Sequence, residues 1–434
     1  MFLPFIALSP QPSSGACPDF HHLTHWLLIG IAYCSIYQCK TQYLIFATDL
    51  QHMRIGIVCY PTFGGSGVLA TELGMALSAK GHEVHFISYQ QPVRLSFHPN
   101  IYYHEVTVQN YPLFDFPPYE TALTSTMVHV ITNNQLDLLH VHYAIPHASA
   151  AYFAREILKK QGRDIPFITT LHGTDITLVG RDQTYAPVVT FSINESDAIT
   201  AVSNNLREET FSHFKIEKDI QVIPNFVDTS RFHQTDKMHF KKMLAPNGER
   251  ILAHVSNFRK VKRVEDVIHV FEKVHEKMPC KLLMIGDGPE RQNAEEICRT
   301  LSICSDIRFL GKQDQMDEIL SITDLFVLPS EYESFGLSAL EAMACGVPVI
   351  STNAGGLPEI NVHGKTGYLS NVGDVQDMAE HAYYILEDDE RLDKFKDAAI
   401  THARTFEKSR IIPLYEKLYD TVLSEYSAKK VVPA

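Results

Sequence analysis

Short apolar segments of strand length alternate with amphipathic segments of helix length from Met53 almost to the end of the chain. In the first half, predicted strands and helices follow one another at residues 55–60, 68–80, 83–88, 136–142, 149–160, 167–172 and 198–203. Such alternation is typical of a parallel, doubly wound sheet, because each crossover between parallel strands needs a helix. Loops at the carboxyl edge of such a sheet bind ligands.

The alternation restarts after residues 226–248, which have little strand pattern and form the predicted linker. Further predicted elements lie at residues 251–256, 264–277, 281–286, 290–301, 307–310, 324–329 and 347–352, and the tail 407–426 is one or two helices. Because 434 residues exceed one comfortable core, we predict two Rossmann-like α/β domains facing across a cleft. They cover residues 53–227 and 228–434, and the second ends in the C-terminal helices.

Composition excludes several classes of function. A net charge of −13 argues against binding nucleic acid or anionic membranes through bulk electrostatics. The eight cysteines lack paired metal spacing and the density of a disulfide scaffold, so we expect reduced thiols in a cytoplasmic protein. The 22 histidines form no His-Glu-x-x-His motif, and we expect no metal site and no cofactor.

The first 52 residues differ from the rest, with one basic residue, two acidic residues and no glutamate. Their apolar stretch, residues 27–37, is too short to span a membrane, and no basic cluster precedes it as in a secretory signal. We therefore expect Met53 to be the functional start and residues 1–52 to be an atypical N-terminal extension. A weak membrane anchor is the open alternative.

The most informative motif for function is the segment 329–348, which follows a predicted buried strand and opens a helix. Glu333 and Glu341 frame it, and Gly336 lets a ligand approach the backbone at the helix start. Free N–H groups at a helix N-terminus bind phosphate, and carboxylates accept hydrogen bonds from sugar hydroxyls. The motif indicates a nucleotide-sugar site. The alternative is a helix start with a favourable N-terminal acid.

A glycine-rich loop, Gly64-Gly65-Ser66-Gly67, follows the first predicted strand. Small residues there let the backbone approach a diphosphate or an acceptor. The loop is not the strict dinucleotide-binding Gly-x-Gly-x-x-Gly, because the third glycine after Gly65 and Gly67 would stand at position 70, which is alanine. No acid follows the second strand, which also counts against a nicotinamide-dependent oxidoreductase. A tight turn without a ligand remains the alternative.

Cations and a histidine follow two other predicted strands. Arg259, Lys262 and Arg263 lie at the carboxyl edge of the second domain, where they can neutralise a leaving diphosphate. His172 ends a strand of the first domain beside the predicted cleft. The alternatives are a solvated basic turn and a structural histidine.

Together these residues resemble the large family of retaining GT-B glycosyltransferases, which includes glycogen, sucrose and mycothiol-precursor synthases. The resemblance covers nearly everything from Met53 onward. The motifs that carry it, besides Glu333 and Glu341, are Gly286-Asp287-Gly288-Pro289, Ile223-Pro224-Asn225-Phe226-Val227-Asp228 and Gly355-Gly356-Leu357-Pro358-Glu359. It implies a GT-B fold and a UDP-sugar donor.

Residues 256–267 and 169–177 resemble the members of this family that act in bacillithiol synthesis. That resemblance implies transfer of GlcNAc from UDP-GlcNAc to the hydroxyl of L-malate with retention. The alternatives are a lipid-linked or sugar acceptor in envelope polysaccharide synthesis and a noncatalytic nucleotide-sugar binding module. The oligomeric state stays open, with a homodimer as one alternative.

The resemblance also implies roles for individual residues. The implied catalytic residues are Lys262, Arg259, Glu333 and His172. The implied nucleotide-sugar contacts are Gly65, Ser256, Arg308, Ser334, Phe335, Gly336, Leu337 and Glu341. The implied acceptor contacts are Ser66, Tyr143 and Thr174. Two departures matter. Many relatives carry arginine where Asn257 stands, so Arg259 or Arg263 must share the phosphate role if Lys262 alone does not suffice. Some close relatives carry arginine where Thr190 stands, and its absence here removes one implied partner of an acceptor carboxylate.

Overall fold

The computed structural model describes residues 52–109, 115–178 and 182–431, so the predicted N-terminal extension lies outside the described residues apart from His52. The strands are β1 Arg54–Val58, β2 Glu83–Ser88, β3 Ile101–Glu105, β4 Leu138–His142, β5 Phe167–Leu171, β6 Ala198–Ala201, β7 Gln221–Val222, β8 Arg250–Val255, β9 Cys280–Ile285, β10 Ile307–Gly311, β11 Leu325–Leu328, β12 Val349–Thr352 and β13 Gly367–Ser370. The helices are α1 Gly65–Ala79, α2 Tyr119–Asn134, α3 Ser149–Lys160, α4 Ala186–Glu195, α5 Asn204–His213, α6 Met238–Leu244, α7 Val264–His275, α8 Arg291–Thr300, α9 Met316–Ser321, α10 Leu337–Ala344, α11 Leu357–Ile360, α12 Val375–Leu386, α13 Asp389–Ala403 and α14 Lys408–Val431.

The first sheet has seven parallel strands in the order β3-β2-β1-β4-β5-β6-β7. Its central strands β4 and β5 are buried along their whole length, because helices cover both faces of the sheet. In register, Ile57 of β1 lies between Phe86 of β2 and His140 of β4. The side chains of α1 pack in the core on one face, and those of α2 and α3 pack in the core on the other.

The second sheet has six parallel strands in the order β10-β9-β8-β11-β12-β13. Its strands β8, β9 and β11 share one core with α7, α8 and α12. The core on its other face, around α10 and α13, also includes Leu171, Ile193 and Leu206 beside the first sheet. One continuous apolar core therefore joins the two sheets below the cleft, and the predicted doubly wound architecture is confirmed.

The last helix, α14, returns to the first sheet. Tyr415 and Tyr419 are fully buried in the core around β1 and α1. The hydroxyl of Tyr419 lies 2.8 Å from Nδ1 of His140, and Lys80 Nζ donates to Glu416 at 2.5 Å. The sequence alone did not indicate this return, and the limits 53–227 and 228–434 stay predictions.

The expectation that all the cysteines are reduced is wrong for Cys298 and Cys304, which form a disulfide. The turn after α8 brings their Cα atoms to 5.1 Å, within the range that a disulfide spans. Composition could not reveal this local geometry. Cys59, Cys280 and Cys345 are free and buried. None of the described helices combines the length and the apolar character that crossing a membrane requires.

Candidate active site

A cleft of about 880 Å³ opens where the carboxyl ends of the two sheets face each other. The loops that follow β1, β4 and β5 form one wall, and those that follow β8 and β11 form the other. Most of the residues predicted from the sequence line it, namely Gly65, Ser66, Tyr143, His172, Thr174, Arg259, Lys262, Glu333, Ser334, Phe335, Gly336 and Leu337. Ser256, Arg308 and Glu341 are not among the lining residues.

Lys262 and Glu333 form an ion pair on the second-sheet wall. Lys262 Nζ donates to Glu333 Oε1 at 2.5 Å, and the hydroxyl of Ser330 donates to the same oxygen at 2.9 Å. A backbone bond of 2.8 Å from Glu331 N to the carbonyl of Val261 ties the two loops together. The wall therefore holds a cation and a carboxylate in a fixed relation.

The structure separates the two arginines that could share the phosphate role. Arg259 is exposed and lines the cleft beside Asn257. Arg263 turns away and donates to the carboxylate of Asp266 at 2.6 and 3.1 Å. Because that bidentate contact occupies its guanidinium, Arg259 is the arginine available to a ligand.

Gly336 directly precedes α10 in a conformation that requires glycine. Its φ is +96°, and a Cβ there would lie 2.7 Å from Leu357 Cδ2. Two neighbours contact protein as well as the cleft. The ring of Phe335 is buried 5.8 Å from that of Phe406, and a Cβ on Gly173 would meet the hydroxyl of Ser334. At this segment a ligand in the cleft would therefore contact mainly backbone atoms and the side chain of Ser334.

Tyr143 and Ser66 lie together on the first-sheet wall of the cleft. Tyr143 follows β4 with φ +90°, and its hydroxyl lies 2.6 Å from that of Ser66. Burial raises the pKa of Tyr143, so the phenol stays protonated at neutral pH. Thr174 is exposed and begins a π-helical turn after β5. Three hydroxyl groups thus meet on one wall.

Asp175 also lines the cleft. It lies in the segment 169–177 that resembles the bacillithiol-pathway members of the family, but no functional role was predicted for it. Its carboxylate is buried and accepts hydrogen bonds from the backbone N–H groups of Ala144 at 2.8 Å and Gly173 at 3.1 Å. Burial raises its pKa to about 6 in spite of these donors. It holds the turns after β4 and β5 together behind Tyr143 and Thr174.

His172 is held by a second histidine. Its Nε2 lies 2.8 Å from Nδ1 of His142, and both rings are buried. Burial lowers the pKa of His172 to about 3, and it lowers the pKa of His142 well below its ordinary value. Both rings are therefore neutral at neutral pH, and His172 offers the cleft a hydrogen-bonding group rather than a charge.

The residues singled out from the sequence that do not line the cleft have partners within the protein or face solvent. The carboxylate of Glu341 is buried and contacts Arg94 at 3.2 Å. The hydroxyl of Ser256 bonds Nε2 of His254 at 2.8 Å. Arg308 is exposed on the edge strand β10, and the hydroxyl of Thr190 donates to the carbonyl of Ala186 within α4.

Several lining residues escaped sequence reasoning. Tyr60 is the second residue after β1, at the carboxyl edge of the sheet where ligands bind. Asn225 is buried with an Oδ1 that lacks a hydrogen-bond partner. Glu120 lies in the first turn of α2, Tyr185 directly precedes α4, and neither residue belongs to a recognisable motif. Among the described residues, no group of three or more His, Cys, Asp or Glu side chains could hold a metal ion.

Two family models match the chain: "Glycosyltransferase Family 4" over residues 63–231 and "Glycosyl transferases group 1" over residues 235–402. The N-acetyl-alpha-D-glucosaminyl L-malate synthase of Bacillus anthracis is 46% identical over 382 residues, which cover 87% of this chain and 100% of that protein.

Solved structures resemble the fold at low sequence identity. Sucrose-phosphate synthase from Thermosynechococcus elongatus has a TM-score of 0.74 at 19% identity, covering 86% of this chain and 100% of that one. Anabaena HepE in complex with UDP and glucose has a TM-score of 0.71 at 18% identity, with 86% and 100% covered. The predicted GT-B fold is confirmed.

Proposed function

Because this chain belongs to the family 4 glycosyltransferases, we propose that it transfers GlcNAc from UDP-GlcNAc to the hydroxyl of L-malate with retention, as in bacillithiol synthesis. The observation that carries the proposal is the cleft itself. Lys262, Arg259 and Glu333 on one wall face His172 and a wall of hydroxyl groups on the other. The 46% identity to the B. anthracis synthase, over that protein's whole length, supports this donor and acceptor.

The proposed reaction balances without a cofactor. The malate hydroxyl oxygen forms a bond to the anomeric carbon on the face from which UDP leaves, and the bond from that carbon to the β-phosphate oxygen breaks. The departing β-phosphate takes the hydroxyl proton. Lys262 and Arg259 stabilise the charge that develops on the diphosphate, and backbone N–H groups near Gly336 add to this.

A same-face displacement also suits the arrangement of the glutamates. A covalent glycosyl intermediate needs two carboxyl groups flanking the scissile bond. Of Glu333 and Glu341, only Glu333 lines the cleft. In our proposal Glu333 binds sugar hydroxyls, His172 contacts the hexose and Gly65 lies along the diphosphate. Glu341, one helical turn after the lining residue Leu337 on α10, binds the ribose.

The acceptor side is proposed to bind malate through neutral donors. Tyr143, Thr174 and Ser66 provide hydroxyl groups, and a dicarboxylate needs several donors to replace its water. A lipid-linked acceptor is less favoured, because no basic amphipathic membrane face was evident from the sequence. The proposed place of action is the cytoplasm.

The test is identification of the product. The full chain is incubated with UDP-GlcNAc and a panel of hydroxy acids and sugars, and UDP release is followed together with mass and anomeric NMR signals. We expect α-linked GlcNAc-malate and equimolar UDP with L-malate, and little UDP release without an acceptor. A β-linked product would contradict retention, and a preferred acceptor other than malate would contradict the substrate.

A further inference from the structure

Arg94 lies between carboxylates that belong to opposite sides of the molecule. It follows β2 of the first sheet, and its Nη1 donates to Glu72 Oε1 at 2.7 Å and to Glu341 Oε1 at 3.2 Å. Glu72 is on α1, beside the first sheet, whereas Glu341 is on α10, beside the second sheet. One guanidinium therefore connects the half of the molecule that contains the first sheet to α10 in the half that contains the second sheet.

This contact is built into the fold rather than lying on the surface. The side chains of Arg94, Glu72 and Glu341 are only 17%, 16% and 9% exposed. The guanidinium carbon lies 5.6 Å from the centre of the Phe232 ring. The φ of Arg94 is +65°, a backbone conformation that side-chain-bearing residues rarely adopt and that persists only where the surroundings hold it.

Glu341 needs a cation if it is to remain a carboxylate. Burial raises its pKa, and the charge of Glu72 raises it further, whereas Arg94 and Arg231 lower it. The thiol of Cys345, which directly follows α10, is a further titratable group close to Glu341. Arg94 engages Oε1, and since a carboxylate has about four lone-pair sites, Oε2 remains to accept hydrogen bonds from a ligand.

We propose that Arg94 is a positioning residue of the nucleotide site, which keeps Glu341 ionised and oriented to accept hydrogen bonds from the ribose of a uridine nucleotide. The inference rests on the proposed function through the ribose-binding role of Glu341. It adds Arg94 to Gly65 and His172, the first-sheet residues that the proposed function already places at the donor. Nucleotide binding is thereby coupled to the contact between the two halves.

The test measures binding of UDP to the full chain by calorimetry at about pH 6 and about pH 8. We expect Arg94→Met to bind UDP about tenfold more weakly than the wild type at the lower pH, because a protonated Glu341 is a poorer acceptor. Most of the loss should disappear at the higher pH, where Glu341 ionises without its partner. Comparing each variant with the wild type at the same pH cancels titration of the UDP phosphates.

Companion variants separate charge from packing. Arg94→Lys keeps the positive charge and should stay close to the wild type at both pH values. Arg94→Met combined with Glu72→Gln removes the nearby negative charge and should recover part of the affinity at the lower pH. Arg299→Met removes an exposed arginine of α8 and should leave UDP binding unchanged.

Equal affinities of Arg94→Met and the wild type at both pH values would overturn the inference. A loss of the same size at both pH values would also overturn it, because that result describes packing alone. If Arg94→Met does not fold, judged by circular dichroism, Arg94→Gln carries the same test with a polar side chain that lacks the charge. If the wild-type chain does not bind UDP, the proposed function is contradicted together with this inference. If the wild-type chain binds UDP, the variants test the role of Arg94 alone.

Discussion

Lys262 Nζ and Glu333 Oε1 lie 2.5 Å apart and form an ion pair. The family resemblance implies that both groups contact the donor, and in this structure they are paired with each other. The side chains are 20% and 14% exposed, which leaves the pair accessible from the cleft. A phosphate oxygen can replace the carboxylate at Lys262, and a sugar hydroxyl can replace the ammonium at Glu333. Donor binding therefore exchanges one set of contacts for another, instead of filling a site with unpaired charges.

Replacing Lys262 by alanine should lower turnover by at least about 10²-fold, because one preorganised charge on a leaving group contributes roughly 3 kcal/mol. Initial rates of UDP release with saturating donor and acceptor measure this. Arg263→Ala is the matched control and should stay near wild type, since its guanidinium pairs with Asp266 away from the cleft. Near-normal turnover in Lys262→Ala with a large loss in Arg259→Ala would transfer the phosphate role to Arg259.

Replacing Glu333 by glutamine should weaken binding of UDP-GlcNAc more than binding of UDP. The amide keeps the shape of the side chain but loses the charge that strengthens hydrogen bonds from sugar hydroxyls. Calorimetric affinities for the two ligands, measured on the same preparation, give the ratio that decides. An equal change for both ligands would place the role of Glu333 outside the sugar subsite.

Two glycines of the loop after β1 should respond differently to alanine. A Cβ on Gly65 would lie 3.7 Å from Leu337, an ordinary contact, so Gly65→Ala should fold normally and lose affinity for the donor. A Cβ on Gly67 would lie 2.5 Å from the carbonyl oxygen of Tyr60, so Gly67→Ala should lower the melting temperature. Unchanged donor binding in Gly65→Ala would mean that no ligand approaches that glycine closely.

The buried histidines should make the protein less stable as the pH falls below about 6.5. Burial lowers the pKa of His140 and His172 to about 3 and that of His147 and His254 to about 4. Below about pH 6.5 these histidines are therefore protonated in the unfolded chain but stay neutral in the folded chain. Each of them lowers the free energy of unfolding by up to about 1.4 kcal/mol for each unit by which the pH falls. Asp175, whose pKa is raised to about 6, offsets part of the loss.

Urea denaturation at pH 7 and at pH 5 measures this effect. We expect a lower midpoint at pH 5 with little change in the slope, because the folded state and the surface exposed on unfolding stay the same. Equal free energies of unfolding at the two pH values would show that these histidines accept protons in the folded protein.

The fold followed from the sequence wherever one signal dominated. The helix 149–160 and the strand 83–88 match the structure residue for residue, and the helix predicted over 68–80 begins three residues earlier and ends one residue earlier, as Gly65–Ala79. The strand Ile101–Glu105 was missed because it is an edge strand of half-exposed residues without an apolar run. The helix Tyr119–Asn134 was missed because threonines and β-branched residues blur its amphipathic pattern.

The site was less predictable than the fold, for a physical reason. Motifs at strand ends converge because parallel strands share one carboxyl edge, which is why Lys262, Glu333 and His172 reached one cleft. Contacts between distant segments follow no local pattern. Arg94 and Glu341 are 247 positions apart, and nothing near either residue in the sequence indicates the other.

The acceptor wall provides the last prediction. Tyr143→Phe removes the hydroxyl that lies 2.6 Å from that of Ser66, and Thr174→Val removes the exposed hydroxyl beside it. If malate binds there, each change should weaken its affinity for the UDP-bound enzyme by about five- to tenfold, since a hydrogen bond to a charged group contributes roughly 1.5–3 kcal/mol and water replaces part of it. Binding of UDP-GlcNAc should change little.

Thr190→Val is the matched control, because its hydroxyl bonds only the carbonyl of Ala186 and does not line the cleft. Calorimetric titration of malate into the UDP-bound chain compares the three variants directly. Unchanged malate affinity in both Tyr143→Phe and Thr174→Val would mean that these hydroxyl groups only cap strand ends. The acceptor site would then lie elsewhere in the cleft, where Tyr60, Asn225 and Tyr185 are among the other polar lining residues.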